Sequence, residues 1–136
     1  MLKKTITFED FEGNKRTEDF YFNLNKAELA EMQMSRQGGF TDWIQKVIDA
    51  RDNTTLYATI KDFVLKSVGI KSPDGRRFIK NSEIREEFEQ TEAYSELMME
   101  LMSDEKAFSA FCQGIIPKEL SEKVAAESAK HPALKG

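Results

Sequence analysis

The chain predicts an α+β fold: a mostly helical domain with an N-terminal β-hairpin. Three observations carry this. Residues 3–10, KKTITFED, and 16–24, RTEDFYFNL, alternate apolar and polar side chains, the period of a half-buried strand. Between them FEGNK supplies Gly13 and Asn14, which tolerate positive φ in a tight turn. After Asn25 the apolar spacing changes to three and four, the period of a helix, and holds from there on.

Each element follows in order. The hairpin, set at 3–24, places Ile6, Phe8, Phe20, Phe22 and Leu24 on one face. A lone hairpin is marginal in water, so helices or a second chain must cover that face. Asn25 is a good N-cap for NKAELAEMQM, which presents Leu29 and Met32 and breaks at Gly38 and Gly39. FTDWIQKVIDA offers Trp43, Ile44, Val47 and Ile48 as one face of the next helix. TTLYATIKDFVLKSVG offers Leu56, Ile60, Phe63, Val64 and Val68, with Gly69 as its expected C-terminal stop.

SPDGRRFIK, residues 72–80, reads as a turn with Pro73 at its second position and Asp74-Gly75 after it. Burial of Phe78 and Ile79 is expected to anchor it. Asn81 or Ser82 caps EIREEFEQ, and Thr91 caps a helix with Tyr94, Leu97, Met98, Leu101 and Met102 as its stripe. Ser103 is the expected N-cap of SDEKAFSAFCQ, which Gly114 ends. Pro117 suits the first turn of a last helix, PKELSEKVAAESAK. One domain is expected over residues 1–120, with the hairpin at 3–24 and helices over 26–120. Residues 121–136 are expected to form a C-terminal helix or a flexible tail.

Composition narrows the function. Of 136 residues, 40% are hydrophobic, and ten Phe and six Met make a bulky, adaptable core. A net charge of −4 disfavours general nucleic-acid binding, which uses a basic domain or stripe. The single Cys112 excludes an internal disulfide and a zinc site built on several cysteines. Its neighbours Phe108, Phe111, Ile115 and Ile116 mark it as a buried, inert thiol, and nothing orients it toward His131, the only histidine. The start of the chain lacks the apolar stretch of a signal peptide, and no run has the length to span a membrane. A soluble cytoplasmic protein with no membrane contact is expected. No phosphate loop, metal-ligand motif or nucleophile elbow appears, so neither a cofactor nor catalysis is expected. The acid pairs fall where solvated faces and helix starts carry acid anyway.

Two stretches are candidates for a partner, each beside a commoner reading: core packing for the methionine stripe, and balance of the acids of EIREEFEQTE for the basic loop. Arg76, Arg77 and Lys80 crowd a small basic loop in an acidic chain. They fit an acidic partner or a neighbouring copy better than a phosphate, because one Gly gives little backbone cradle. YSELMMELM places Met98, Met99 and Met102 nearer the rim of an apolar stripe, with Tyr94, Leu97 and Leu101 inside. Met side chains repack easily, so such a rim accepts varied apolar helices. The open edges of the hairpin also predict self-association.

YFNLNKAELAEMQM, followed by SPDGRRFIKNSEIREEFEQTEAYSELMMELMSDEKAFSAFCQGIIPKEL, resembles the small tail assembly chaperones of long-tailed phages and prophages of Gram-positive bacteria. The likeness runs from about Ile6 to Leu120, and DGRRFIK, QTEAYSELMMEL and GIIP carry most of it. The resemblance implies a non-enzymatic protein that coats the long, aggregation-prone tape measure protein before the tail tube polymerises. It also implies a homo-oligomer, with the major tail protein as a further candidate partner. Two other functions fit the residues: a structural tail or head–tail connector protein of the virion, or a small nucleic-acid-binding regulator using Arg76, Arg77 and Lys80.

Overall fold

A computed structural model describes residues 1–35 and 53–117 of the chain. Strand β1 (Leu2–Glu9) and β2 (Lys15–Phe22) open it, followed by α1 (Lys26–Ser35) and α2 (Asn53–Ser67). Two more strands, β3 (Val68–Lys71) and β4 (Phe78–Ile79), precede α3 (Ser82–Glu89), α4 (Glu92–Ser103) and α5 (Glu105–Ile115). The four strands form one antiparallel sheet in the order β1-β2-β3-β4. The expected α+β class with its leading hairpin is what the chain adopts. The predicted helix FTDWIQKVIDA, the expected break at Gly38 and Gly39, and the last helix beyond Pro117 lie outside the described residues, as does the 120/121 boundary.

The first hairpin closes as its sequence demands. Gly13 takes φ +83°, a conformation that favours glycine. Asp10 organises the turn: its carboxylate accepts the N–H of Glu12 and of Asn14, each at 2.9 Å, and Arg16 Nε at 2.7 Å. The hydrogen bond from Arg16, then that from Asn14, holds the Asp10 carboxyl below its usual range. Register pairs Ile6 with Glu18 and Lys4 with Phe20. Even-numbered residues therefore face the helices, and odd-numbered ones face water. On the wet face Thr7 meets Thr17 at 2.9 Å and Thr5 donates to Asp19 at 2.6 Å.

The helices cover the apolar face. Ile6, Phe8, Phe22 and Leu24 are buried, together with Ile60, Phe63, Leu97, Leu101, Phe108 and Ile115. A run of rings crosses from sheet to helices. Phe20 sits 5.1 Å from Phe88, and Phe22 lies 5.7 Å from Phe88 and 5.3 Å from Phe111. These tilted and edge-on contacts are the arrangements the ring quadrupole favours. Leu24 N–H donates to Ile115 O at 2.6 Å, which satisfies a carbonyl that the end of α5 leaves open.

Caps explain the helix starts. Asn25 and Glu28 form a reciprocal box, Glu28 N–H to Asn25 Oδ1 at 2.8 Å and Asn25 N–H to Glu28 Oε1 at 3.0 Å. Asn81 caps α3 through Ile84 N–H, and Thr91 caps α4 through Tyr94 N–H. The expected cap at Ser103 is corrected to Asp104, whose carboxylate accepts Lys106 N–H at 2.9 Å. Ser103 instead ends α4, and its hydroxyl donates back to Met99 O at 2.7 Å. An ionised cap also complements the positive end of the helix dipole.

Two further expectations are corrected. Helical structure does not run unbroken after the first hairpin, because β3 and β4 interrupt it. Gly69 is not a helix stop: α2 ends at Ser67, and Gly69 lies within β3. Gly114 also does not end α5, which runs one residue further; a Cβ there would meet Leu2 Cδ1 at 3.0 Å.

Cys112 is buried, and that burial pushes its thiol pKa up, so it stays protonated and inert. Cys112→Ser is expected to leave partner binding intact and cost about 1–3 kcal/mol, the penalty of a buried hydroxyl without a partner. Urea unfolding beside a binding assay checks this. Lost binding at unchanged stability would restore a role for the thiol.

Candidate partner-binding surfaces

The basic loop is the turn of a second hairpin. Ser72 C=O accepts Gly75 N–H at 2.8 Å, and Gly75 takes φ +73°. Ser72 N–H donates to Arg77 O at 2.8 Å, which closes the loop at its base. Inside it the Asp74 carboxylate accepts the Ser72 hydroxyl at 2.6 Å and Arg76 N–H at 3.0 Å. The Ser72 hydroxyl, then the Arg76 amide, hold Asp74 below its usual pKa. These bonds leave no ring of free backbone N–H groups to cradle a phosphate. The loop turns a corner, and half-buried Phe78 and Ile79 seat it as strand β4.

Its cations separate into two kinds. Arg76 and Arg77 are exposed, with the Arg76 side chain 80% accessible and 3.8 Å from Asp74. Lys80 turns inward. Its ammonium reaches both oxygens of Glu28 at 2.6 and 2.7 Å and Asn23 O at 2.9 Å. Lys80 thereby ties β4 to the first turn of α1.

The methionines separate in the same way. Met98 is buried beside Leu97 and Leu101 in the core. Met102 is half-buried and packs on that core. Met99 is 66% exposed. It lines a shallow groove of about 380 Å³ with Thr5, Ile6, Thr7, Leu97 and Glu100, where α4 meets β1. Tyr94, on the inner side, has a buried hydroxyl with no well-formed hydrogen bond among the described residues. Burial first, and then Tyr57, push its pKa upward, so it stays neutral.

The six residues picked from sequence do not converge. Arg76, Arg77 and Lys80 belong to the β3–β4 end of the sheet, and Met99 sits beside β1 at the opposite end. A second groove escaped the sequence pattern. It holds about 370 Å³ between β2 and β3, over Phe20, Ile70, Ile84 and Phe88. Its one visible signal was Ile70, an apolar residue outside every helical stripe and 54% exposed.

Among the described residues, no group of three or more His, Cys, Asp or Glu is placed to hold a metal ion. No described helix is long and apolar enough to cross a membrane. No curated protein and no solved structure matches the chain. A family model described as phage tail assembly chaperone matches residues 1–135, nearly its whole length. The chain belongs to this family of phage tail assembly chaperones.

Proposed function

We propose that this chaperone binds and solubilises the tape measure protein while the tail is built, in the host cytoplasm and as an oligomer. The family assignment supports a tail component as the partner. The observation that carries the finer reading is Met99, 66% exposed over a groove on a helix whose other large apolar residues turn inward. An adaptable thioether beside a shallow groove suits a long apolar helix of loosely defined sequence. Arg76 and Arg77 supply a separate, electrostatic contact to acidic positions of the same partner. Lys80 and Met98 act indirectly, by holding β4 and α4 in place.

Co-expression with the tape measure protein tests this. The wild-type chain is expected to keep that protein soluble and to co-purify with it. Arg76→Glu with Arg77→Glu, or Met99→Glu alone, is expected to weaken capture about tenfold while the free chain melts unchanged, since all three are exposed surface positions. A tape measure protein that is equally insoluble with and without the chain would overturn the proposal. Recovery of the chain from purified virions would assign it to the tail structure instead.

A further inference from the structure

Strand β2 uses only one of its edges fully. Toward β1 it is paired from Lys15 to Phe22. Among the described residues it is paired toward β3 only at Tyr21 and Phe22, after which β3 turns away to pair with β4. Residues 15–19 are exposed. The direction of their backbone groups follows from one bond: Asn23 N–H donates to Ser67 O at 2.8 Å, on the β3 side. Successive residues of a strand point their N–H and C=O to alternate sides. Tyr21, Asp19, Thr17 and Lys15 therefore direct theirs to the open edge.

That edge reads Lys15, Arg16, Thr17, Glu18, Asp19: two cations, a neutral residue, two acids. We propose that it pairs, antiparallel, with the same edge of a second copy, about a two-fold axis through Thr17. Lys15 then lies opposite Asp19 of the partner subunit, and Arg16 opposite Glu18 of the partner subunit. The axis repeats both, so opposite charges meet at four places. Lys15, Thr17 and Asp19 become the hydrogen-bonded positions, as the backbone direction requires.

Neighbouring registers are worse. A shift that reverses the backbone direction loses the ladder. The next shifts that keep it set Arg16 against Arg16 of the partner subunit, or Glu18 against Glu18 of the partner subunit. The outer edge of β1 offers less, because a two-fold through Ile6 opposes only Lys3 with Glu9. The proposed register ends with Asn14 of the partner subunit opposite Phe20, just short of Tyr21, where β3 takes over the pairing. This inference rests on the oligomer proposed above, for which it supplies an interface, and does not depend on capture of a tail protein.

Sedimentation of the purified full chain over a range of concentrations tests the register. The wild type is expected to dimerise. Lys15→Glu and Asp19→Lys each set like charges opposite one another twice, and each is expected to raise the dimer Kd at least about tenfold. Mixing the two variants, or combining them in one chain, restores opposite pairs and dimerisation. Thr17→Pro is tolerated in a monomer whose Thr17 N–H faces the open edge, and it is expected to give monomers. Circular dichroism melts confirm that each variant folds. A wild type that stays monomeric at the highest concentration overturns the proposal, and so does a dimer that ignores all three substitutions. Should the wild type be monomeric and Thr17→Pro abolish capture of a tape measure segment, the edge belongs to that segment and the self-pairing is refuted.

Discussion

Phe22→Ala is expected to destabilise the fold by about 3–5 kcal/mol, the usual cost of removing a fully buried ring. Phe22 has no exposed surface and touches Phe88 and Phe111, so it joins the sheet to both α3 and α5. Deleting it leaves a cavity where three elements meet. Domains of this size have roughly 5–15 kcal/mol in total, so the variant keeps little margin. Urea unfolding should show a large fall in midpoint with little change in slope. A loss under about 1 kcal/mol would mean that the ring contacts are not as described. Phe11→Ala, at an exposed tip, serves as the control and should melt like the wild type.

Gly69→Val is the second large effect. A Cβ at Gly69 would stand 2.6 Å from Phe78 Cε2, 2.7 Å from Ile79 O and 2.8 Å from Lys80 Cγ. One of these is a backbone oxygen held by the β3–β4 pairing, so the clash is relieved only by moving β4. Overpacking of this kind costs about 1–3 kcal/mol, and the two extra methyls of Val push toward the upper end. Movement of β4 also pulls Lys80 from Glu28 and Asn23, which adds to the loss. Gly69→Asn distinguishes the two roles a glycine has at such a place. At a helix C-terminus Asn is tolerated because it accepts positive φ. Inside β3 it should be destabilising, as Val is, and comparative melts of the two variants read this directly. An Asn variant that melts like the wild type would return Gly69 to the role of a helix stop.

The contrast at Gly69 shows where sequence reasoning loses its hold. SVGIK carries no long alternation, and a four-residue strand at the end of a helical stripe looks like more helix. What makes Val68–Lys71 a strand is the unpaired edge of β2 at Tyr21 and Phe22, far away in sequence. The first hairpin was legible because both its strands and its turn are local. Asn25, Asn81 and Thr91 were legible as caps for the same reason: each bonds a backbone group three residues on. Ser103 and Asp104 are adjacent and both competent, and only the direction of the chain leaving α4 selects the acid.

The surfaces divide along the same line. Exposure of Arg76 and Arg77 follows from a turn whose chemistry is written in Ser72–Gly75. Lys80, three residues past Arg77, looks identical in sequence. Only folding brings Glu28 to within 2.6 Å of it across 52 positions of chain, and converts a surface cation into an internal tie. Met98 and Met99 are neighbours on one helix, and a 100° turn sends one into the core and the other to water. The amino-acid order by itself determined the hairpin, the caps at Asn25, Asn81 and Thr91, the apolar stripes of α2 from Leu56 to Val64 and of α4, and the buried setting of Cys112, because local hydrogen bonding and apolar period are short-range. The tertiary structure alone decided the strands β3 and β4, the inward turn of Lys80, the burial of Met98 and the open edge of β2, because each depends on which distant backbone or side chain arrives to claim it.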